Sequence, residues 1–288
     1  MSESVWTIEN KTVVITGASS GIGEATAIEL ARMGAHVVLM CRDKGKSEQT
    51  LADIREAVPN ARADVVLANF ASQQDVRSAA HEVLTRFDAV HVLINNAATV
   101  QGKRHITDDG IEMQFAVNHL APFLLTNLLL PRIIRSAPAR IVNVSSDMHQ
   151  NARIEFDDLQ SERSYSGMRV YGNTKLANIL FTYQLARRLE GVNVTVNCLH
   201  PGVVATGIAR DMMFPINVLA RAAGLFMLSP ANGAQTSVFL AASPEVSGVT
   251  GKYFVKKRER PSSPLSHDAE SARKLWEISA RMTGLPES

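Results

Sequence analysis

Short apolar runs rich in β-branched residues punctuate the chain: TVVIT (12–16), HVVLM (36–40), DVVL (64–67), VHVLI (90–94), RIVNV (140–144) and VNVTVN (192–197). Between them lie longer stretches in which apolar residues recur at helical spacing, such as GEATAIELARMG (23–34) and SQQDVRSAAHEVLTRF (72–87). Strands that alternate with helices predict right-handed βαβ units and a parallel sheet, hence the α/β class. Two stretches break the rhythm: a polar, loop-like one at 147–167, and a mostly apolar one at 203–229 that holds MMFPINVLARAAGLFML. Neither a repeat nor a Pro/Gly/Ser-rich linker divides the chain, so the expectation is one large domain over 1–288, closed by a helical tail at about 266–284.

Composition adds little to this and mostly excludes. Thirty basic residues against 28 acidic ones leave a formal charge of +2, which gives no footprint for nucleic acid. The KKRER run at 256–260 is read as a solvated loop. Two cysteines, Cys41 and Cys198, each close an apolar run, so no disulfide framework is expected and a reducing compartment fits. The eight histidines show no metal spacing. MSESVWTIENK lacks the charged and apolar regions of a leader, and no run of 18 apolar residues occurs, so the expectation is a cytoplasmic protein without a transmembrane anchor.

Chemistry enters at TGASSGIG, directly after the first apolar run, with glycines at Gly17, Gly21 and Gly23. A strand, a tight glycine turn and a helix N-terminus let backbone approach a pyrophosphate, and the free N–H groups and the helix dipole favour its charge. At the end of the second run stand Cys41 and Arg42. A cofactor without a 2′-phosphate calls for an acidic residue here; cysteine cannot chelate ribose hydroxyls, whereas Arg42 can grip a phosphate, and NADP(H) is therefore expected over NAD(H). In VYGNTKLAN (170–178), Tyr171 and Lys175 stand one helical turn apart on one face, where an ammonium would stabilise a phenolate and bring a phenol of pKa ~10 toward working pH.

Together with NNAA (95–98), Asn118, the Ser145–Ser146 pair and HPGVVAT (200–206), these motifs resemble, in order and approximate spacing, the short-chain dehydrogenase/reductase family over roughly 11–255. NHLAPFLLTNLLL, RIVNVSS and KLANILFTYQLARRL, with GKYF (251–254) and the closing ESARKLWEISARMTGL, are most similar to its retinol dehydrogenase-like branch. The resemblance implies a doubly wound Rossmann-type fold with a mostly parallel seven-stranded sheet and helices on both faces. It implies hydride transfer between the nicotinamide and an aldehyde, ketone or alcohol, with Tyr171 as general acid/base, Lys175 on the ribose, Ser146 on the substrate oxygen and Asn118 completing a proton relay through a water. Cofactor contacts are implied for Gly17, Ser19, Ser20, Gly21, Ile22, Gly23, Arg42, Asn69, Phe70, Asn96, Ala97, Ala98, Tyr171, Lys175, Pro201, Gly202, Val204 and Thr206.

Where the chain departs from the family pattern, the catalytic groups remain. Asn69 stands where an aspartate usually meets the adenine amino group, Ala98 replaces a glycine, Ala121–Pro122 introduces a kink, and Tyr171 lies an unusual 25 residues beyond Ser146. Stretch 203–229 is expected to be the substrate lid, its Met, Phe, Leu and Ile pointing to a small lipophilic carbonyl or alcohol. Rival readings are a catalytically idle dinucleotide binder that recruits a partner, and a peripheral membrane enzyme of the retinoid type. A homodimer or homotetramer is compatible with the resemblance.

Overall fold

In a computed structural model, which describes residues 6–203 and 228–287, eight strands form one sheet in the order β3-β2-β1-β4-β5-β6-β7-β8. They are β1 (Thr12–Thr16), β2 (His36–Cys41), β3 (Ala63–Leu67), β4 (Val92–Asn95), β5 (Ala139–Val144), β6 (Val194–His200), β7 (Lys252–Val255) and β8 (Arg258–Glu259). The first seven run parallel, as expected, and the eighth is a two-residue antiparallel addition at the edge. The KKRER run is exposed, but only Lys256 and Lys257, at φ 50° and 63°, form a turn; Arg258 and Glu259, expected as loop, are β8 itself.

Helices α1 (Gly21–Arg32), α2 (Lys44–Ala57), α3 (Gln73–Arg86), α4 (Met113–Arg135), α5 (Gly167–Arg188), α6 (Pro230–Ala242) and α7 (Ala269–Met282) cover both faces. Strand alternation divides the core. Val14, Val38 and Leu93 face α3, α4 and α5, while Val13, Ile15, Val37 and Ile94 face α1 and α6. Helix α4 is long and apolar enough to span a bilayer by length and composition, but 78% of its most apolar window is buried inside the fold, where it serves as a core helix. Trp276 of α7 packs edge-on against Phe123 of α4, with ring centroids 4.9 Å apart, so the tail helix closes this face.

The kink expected at Ala121–Pro122 takes the form of a π-helical stretch, Ala116–Leu120, inside α4. Pro122 has no N–H to offer the carbonyl four residues back, at Asn118, and the wider turn accommodates that loss. A ladder of buried amides and hydroxyls then fixes α4, β4, β5 and α5 to one another: Asn95 Nδ2 donates to Thr126 Oγ1 (2.9 Å) and Asn143 Oδ1 (2.8 Å), and Asn143 Nδ2 donates to Thr182 Oγ1 (2.9 Å).

Candidate active site

Every implied site residue within the described part of the chain lies at the carboxyl edge of the parallel sheet or on an element leaving it, where open α/β sheets bind their ligands. Val204 and Thr206, with most of the expected lid at 203–229, lie outside the described residues; the flanking Val203 and Leu228 are hydrogen-bonded to each other (2.8 Å).

At the β1–α1 turn, Gly17 and Gly21 take φ of +66° and +60°, a region side chains disfavour. Gly23 serves a different purpose: a Cβ there would stand 2.3 Å from the Gly17 carbonyl oxygen, so it lets α1 press against the turn. Sequence reading missed the organiser of this corner, Thr16, although it opens the TGASSGIG motif. Its hydroxyl accepts the backbone N–H of both Asn96 and Ala97 (2.9 Å each), and Asn96 Nδ2 returns to the Thr16 carbonyl (2.8 Å). Ser20 stands at the N-cap of α1 without a side-chain cap, so the first N–H groups of the helix point at the turn; Ile22 and Ser19 are half-buried beside it. Cys41 is buried, with its thiol held high by desolvation and bonded to Ser47 and Ser19, whereas Arg42 is exposed. Lys44 and Lys46 pair with Glu48 and Asp43, but Arg42 enters no ion pair among the described residues. Asn69 Oδ1 accepts the Ala71 N–H (3.2 Å), so its carbonyl keeps one lone pair free, and Phe70 packs on the core. Ala98, Pro201 and Gly202 are half-buried at the same edge, with Gly202 at φ +92°.

The candidate catalytic corner forms where β5 ends and α5 passes. Successive strand residues face opposite ways, and the two serines divide accordingly. Ser145 is buried and its hydroxyl donates to the Lys175 carbonyl (2.8 Å), while Ser146 faces Tyr171. The Lys175 ammonium donates to the Val144 carbonyl (3.0 Å) and lies 5.2 Å from the centre of the Tyr171 ring. Asn118, on the π-helical stretch, holds Thr99 from both sides: Oδ1 accepts its N–H (2.7 Å), and Nδ2 donates to its carbonyl (3.0 Å) and to Thr174 Oγ1 (3.1 Å). The asparagine side chain is thus bonded to the Thr99 backbone and to Thr174 of α5.

Electrostatics here differ from the expectation that Lys175 would lower the phenol. Burial pushes Tyr171 up to about 12, with the Ser146 hydroxyl pulling the other way, and burial pushes Lys175 down to about 7. Desolvation penalises the charged form of each group. Near neutrality the phenol therefore keeps its proton. An open cavity of about 540 Å³ lies elsewhere, beyond the amino ends of β6 and β7, where Arg187, Glu190, Thr195 and Thr250 line it.

The short chain dehydrogenase family model matches residues 11–217. Human retinol dehydrogenase 14 is 46% identical over 96% of this chain and 88% of its own length, and human retinol dehydrogenase 13 is 44% identical over 97% and 86%. Among solved structures, an uncharacterised protein from Mycobacterium paratuberculosis is 32% identical and superposes with a TM-score of 0.78 over 99% of this chain and 97% of that one.

Proposed function

The chain belongs to the short-chain dehydrogenase family, in its retinol dehydrogenase-like branch, and from that premise we propose that it is an NADP(H)-dependent oxidoreductase that interconverts a lipophilic aldehyde or ketone with the matching alcohol. One observation carries the reading. A proton-bearing Tyr171 faces the Ser146 hydroxyl at the same sheet edge as the uncapped N-terminus of α1. A catalytically idle binder is not favoured, because binding alone requires neither Ser146 nor Tyr171.

The residues present fit the cofactor. The turn at Gly17 and Gly21, with the free N–H groups of α1, suits a pyrophosphate, and Arg42, exposed and without an ion pair, suits a 2′-phosphate. Asn69 and Phe70 would flank the adenine, while Asn96, Ala97, Ala98, Pro201 and Gly202 would wall the nicotinamide. The nicotinamide supplies or takes the hydride. Ser146 Oγ donates to the substrate oxygen as negative charge gathers there, which is the moment at which a fixed donor contributes most. Tyr171 then delivers its phenolic proton to that oxygen, completing reduction to the alcohol. At neutral pH the phenol carries the proton that the acid role needs; in the oxidative direction the same oxygen must first lose it. Lys175 would hold the ribose hydroxyls, and its ammonium, 5.2 Å from the centre of the Tyr171 ring, would stand against the phenolate as it forms. Substrate lipophilicity rests on the relatives and on the apolar 203–229 stretch. Cys41 and Cys198 are free and buried, which supports the cytoplasmic location included in this proposal.

The test is turnover with NADPH and NADH against a panel of medium-chain, aromatic and polyene aldehydes and their alcohols. Reduction of at least one lipophilic aldehyde, with NADPH preferred, is expected. Cofactor binding without turnover on any member would overturn the reading.

A further inference from the structure

Ser146 is seated by a residue that the mechanism does not use. Just beyond it the chain makes a 3₁₀ turn, Asp147–Asn151, and His149 on that turn is fully buried. Its Nδ1 meets the Ser146 carbonyl oxygen at 2.7 Å, and its Nε2 meets the Ser263 backbone nitrogen at 3.0 Å. A carbonyl can only accept and a backbone N–H can only donate, so these two partners fix one tautomer: Nδ1 carries the proton and Nε2 is bare. The imidazole is therefore neutral, and burial, which holds it below the ordinary histidine range, acts in the same sense.

We propose that His149 is a positioning residue that sets the place of the Ser146 hydroxyl relative to Tyr171 by tying the serine backbone to the segment that leads into α7. The inference rests on the catalytic reading above. Four further contacts show why the turn cannot shift without shifting the serine. Ser146 Oγ accepts the Met148 N–H (3.2 Å), so the hydroxyl is oriented by the turn itself. The Tyr253 hydroxyl donates to Asp147 Oδ1 (2.6 Å), and His200 stands 3.3 Å from the other carboxylate oxygen, so the first turn residue is gripped from β7 and β6. On the far side, a Cβ at Gly172 would lie only 2.9 Å from the Met148 carbonyl oxygen, so the turn bears directly on α5 one residue past Tyr171. His149 is the link between this wedge and a segment more than a hundred residues away in sequence.

Three substitutions separate positioning from mere stability. His149→Phe keeps a buried ring and loses both bonds. His149→Asn keeps a donor near the Nδ1 position and so the Ser146 bond, while His149→Gln reaches toward the Nε2 position and keeps the Ser263 side. Two readouts are needed: kcat and KM for aldehyde reduction with the Kd for NADPH, and amide exchange of the Asp147–Asn151 turn in the cofactor-free chain. His149→Phe and His149→Gln should lower kcat by about 10- to 100-fold, the range a misplacement near 1 Å produces, with the Kd for NADPH within about twofold. His149→Asn should recover most of that kcat and the slow exchange of the turn. Equal kcat in all three, a Gln variant better than the Asn variant, or kcat losses that merely follow Tm would overturn the proposal. Should His149→Phe fail to fold, the Asn and Gln pair still decides it. Absence of turnover in the unsubstituted protein would count against the catalytic reading instead, and the exchange comparison would still test the seat.

Discussion

The two halves of the site solve opposite electrostatic problems. Around β1 and α1 the surface is built from glycines, backbone and the Thr16 hydroxyl, and Arg42, which enters no ion pair among the described residues, remains in water. Around β5 and α5 the same sheet edge is built from side chains, and its cation, Lys175, is 1% exposed. A site that captures a soluble, multiply charged ligand gains by keeping its cation hydrated and free until the ligand arrives. Where a proton must be held and released on demand, burial does the tuning, because desolvation moves a pKa further than an exposed neighbour can. On the proposed function, Arg42 would govern which ligand binds, while Tyr171 and Lys175 would govern what happens to a proton.

The sharpest way to break this division is Tyr171→Phe. Loss of the proton donor should cut turnover by about two to four decades, while the cofactor corner, which does not depend on the phenol for shape, keeps its Kd for NADPH nearly unchanged. Stopped-flow reduction and NADPH fluorescence titration on one preparation would read both. A variant that lost cofactor binding in parallel would erase the distinction between the halves. Arg42→Ala addresses the other half with a smaller effect. Removing a charge-assisted contact of about 1.5–3 kcal/mol should weaken NADPH by about one to two decades in kcat/KM and leave NADH use almost as it was. Adding Cys41→Asp should turn preference toward NADH, since a carboxylate there accepts from ribose hydroxyls and repels a 2′-phosphate. Both measurements belong at one ionic strength, because exposed contacts are screened. Equal loss with both cofactors would mean that Arg42 supports the fold or the pyrophosphate rather than the 2′-phosphate.

Much of the scaffold was legible because β-branched runs and helical periods are local signals. All six runs became strands with ends within about three residues of the pattern, whereas KYFV in β7 escaped, being short and opened by an exposed lysine. Motif spacing likewise brought Gly17, Asn96, Ser146, Tyr171 and Lys175 to one edge. What could not be read is what depends on depth and on distant partners. The helical period sets Lys175 one turn from Tyr171, but only the packing of α5 against β5 reveals that both are desolvated, which reverses the expected direction of the phenol shift. His149 looked like an ordinary histidine because its second partner, Ser263, lies 114 residues along the chain. Thr16 was hidden for another reason: within a glycine motif a threonine reads as filler until its two N–H partners from β4 are seen.

Burial of Lys175 also makes a prediction that needs no substrate, and it is the smallest in size. In the folded protein the ammonium sits near pKa 7, well below its ordinary value of 10.5. Between those values the unfolded chain binds a proton that the folded chain does not, so this group makes stability rise with pH. The penalty of burying the charge is fully present below about pH 7 and fades as the pH approaches that of an unfolded lysine. Lys175→Met keeps the length of the side chain and removes the penalty, at the cost of leaving the Val144 carbonyl without its donor, about 1–3 kcal/mol at every pH. The difference in Tm between variant and parent, measured without cofactor, isolates the titrating part, because the carbonyl cost is constant. That difference should favour the variant most at pH 6 to 7 and shrink by on the order of 5 °C or more toward pH 10, where the parent becomes the equal or the better of the two. A difference that stays flat across the range would mean that Lys175 remains charged in the fold, and the contrast between a hydrated cation at Arg42 and a desolvated one at Lys175 would then collapse.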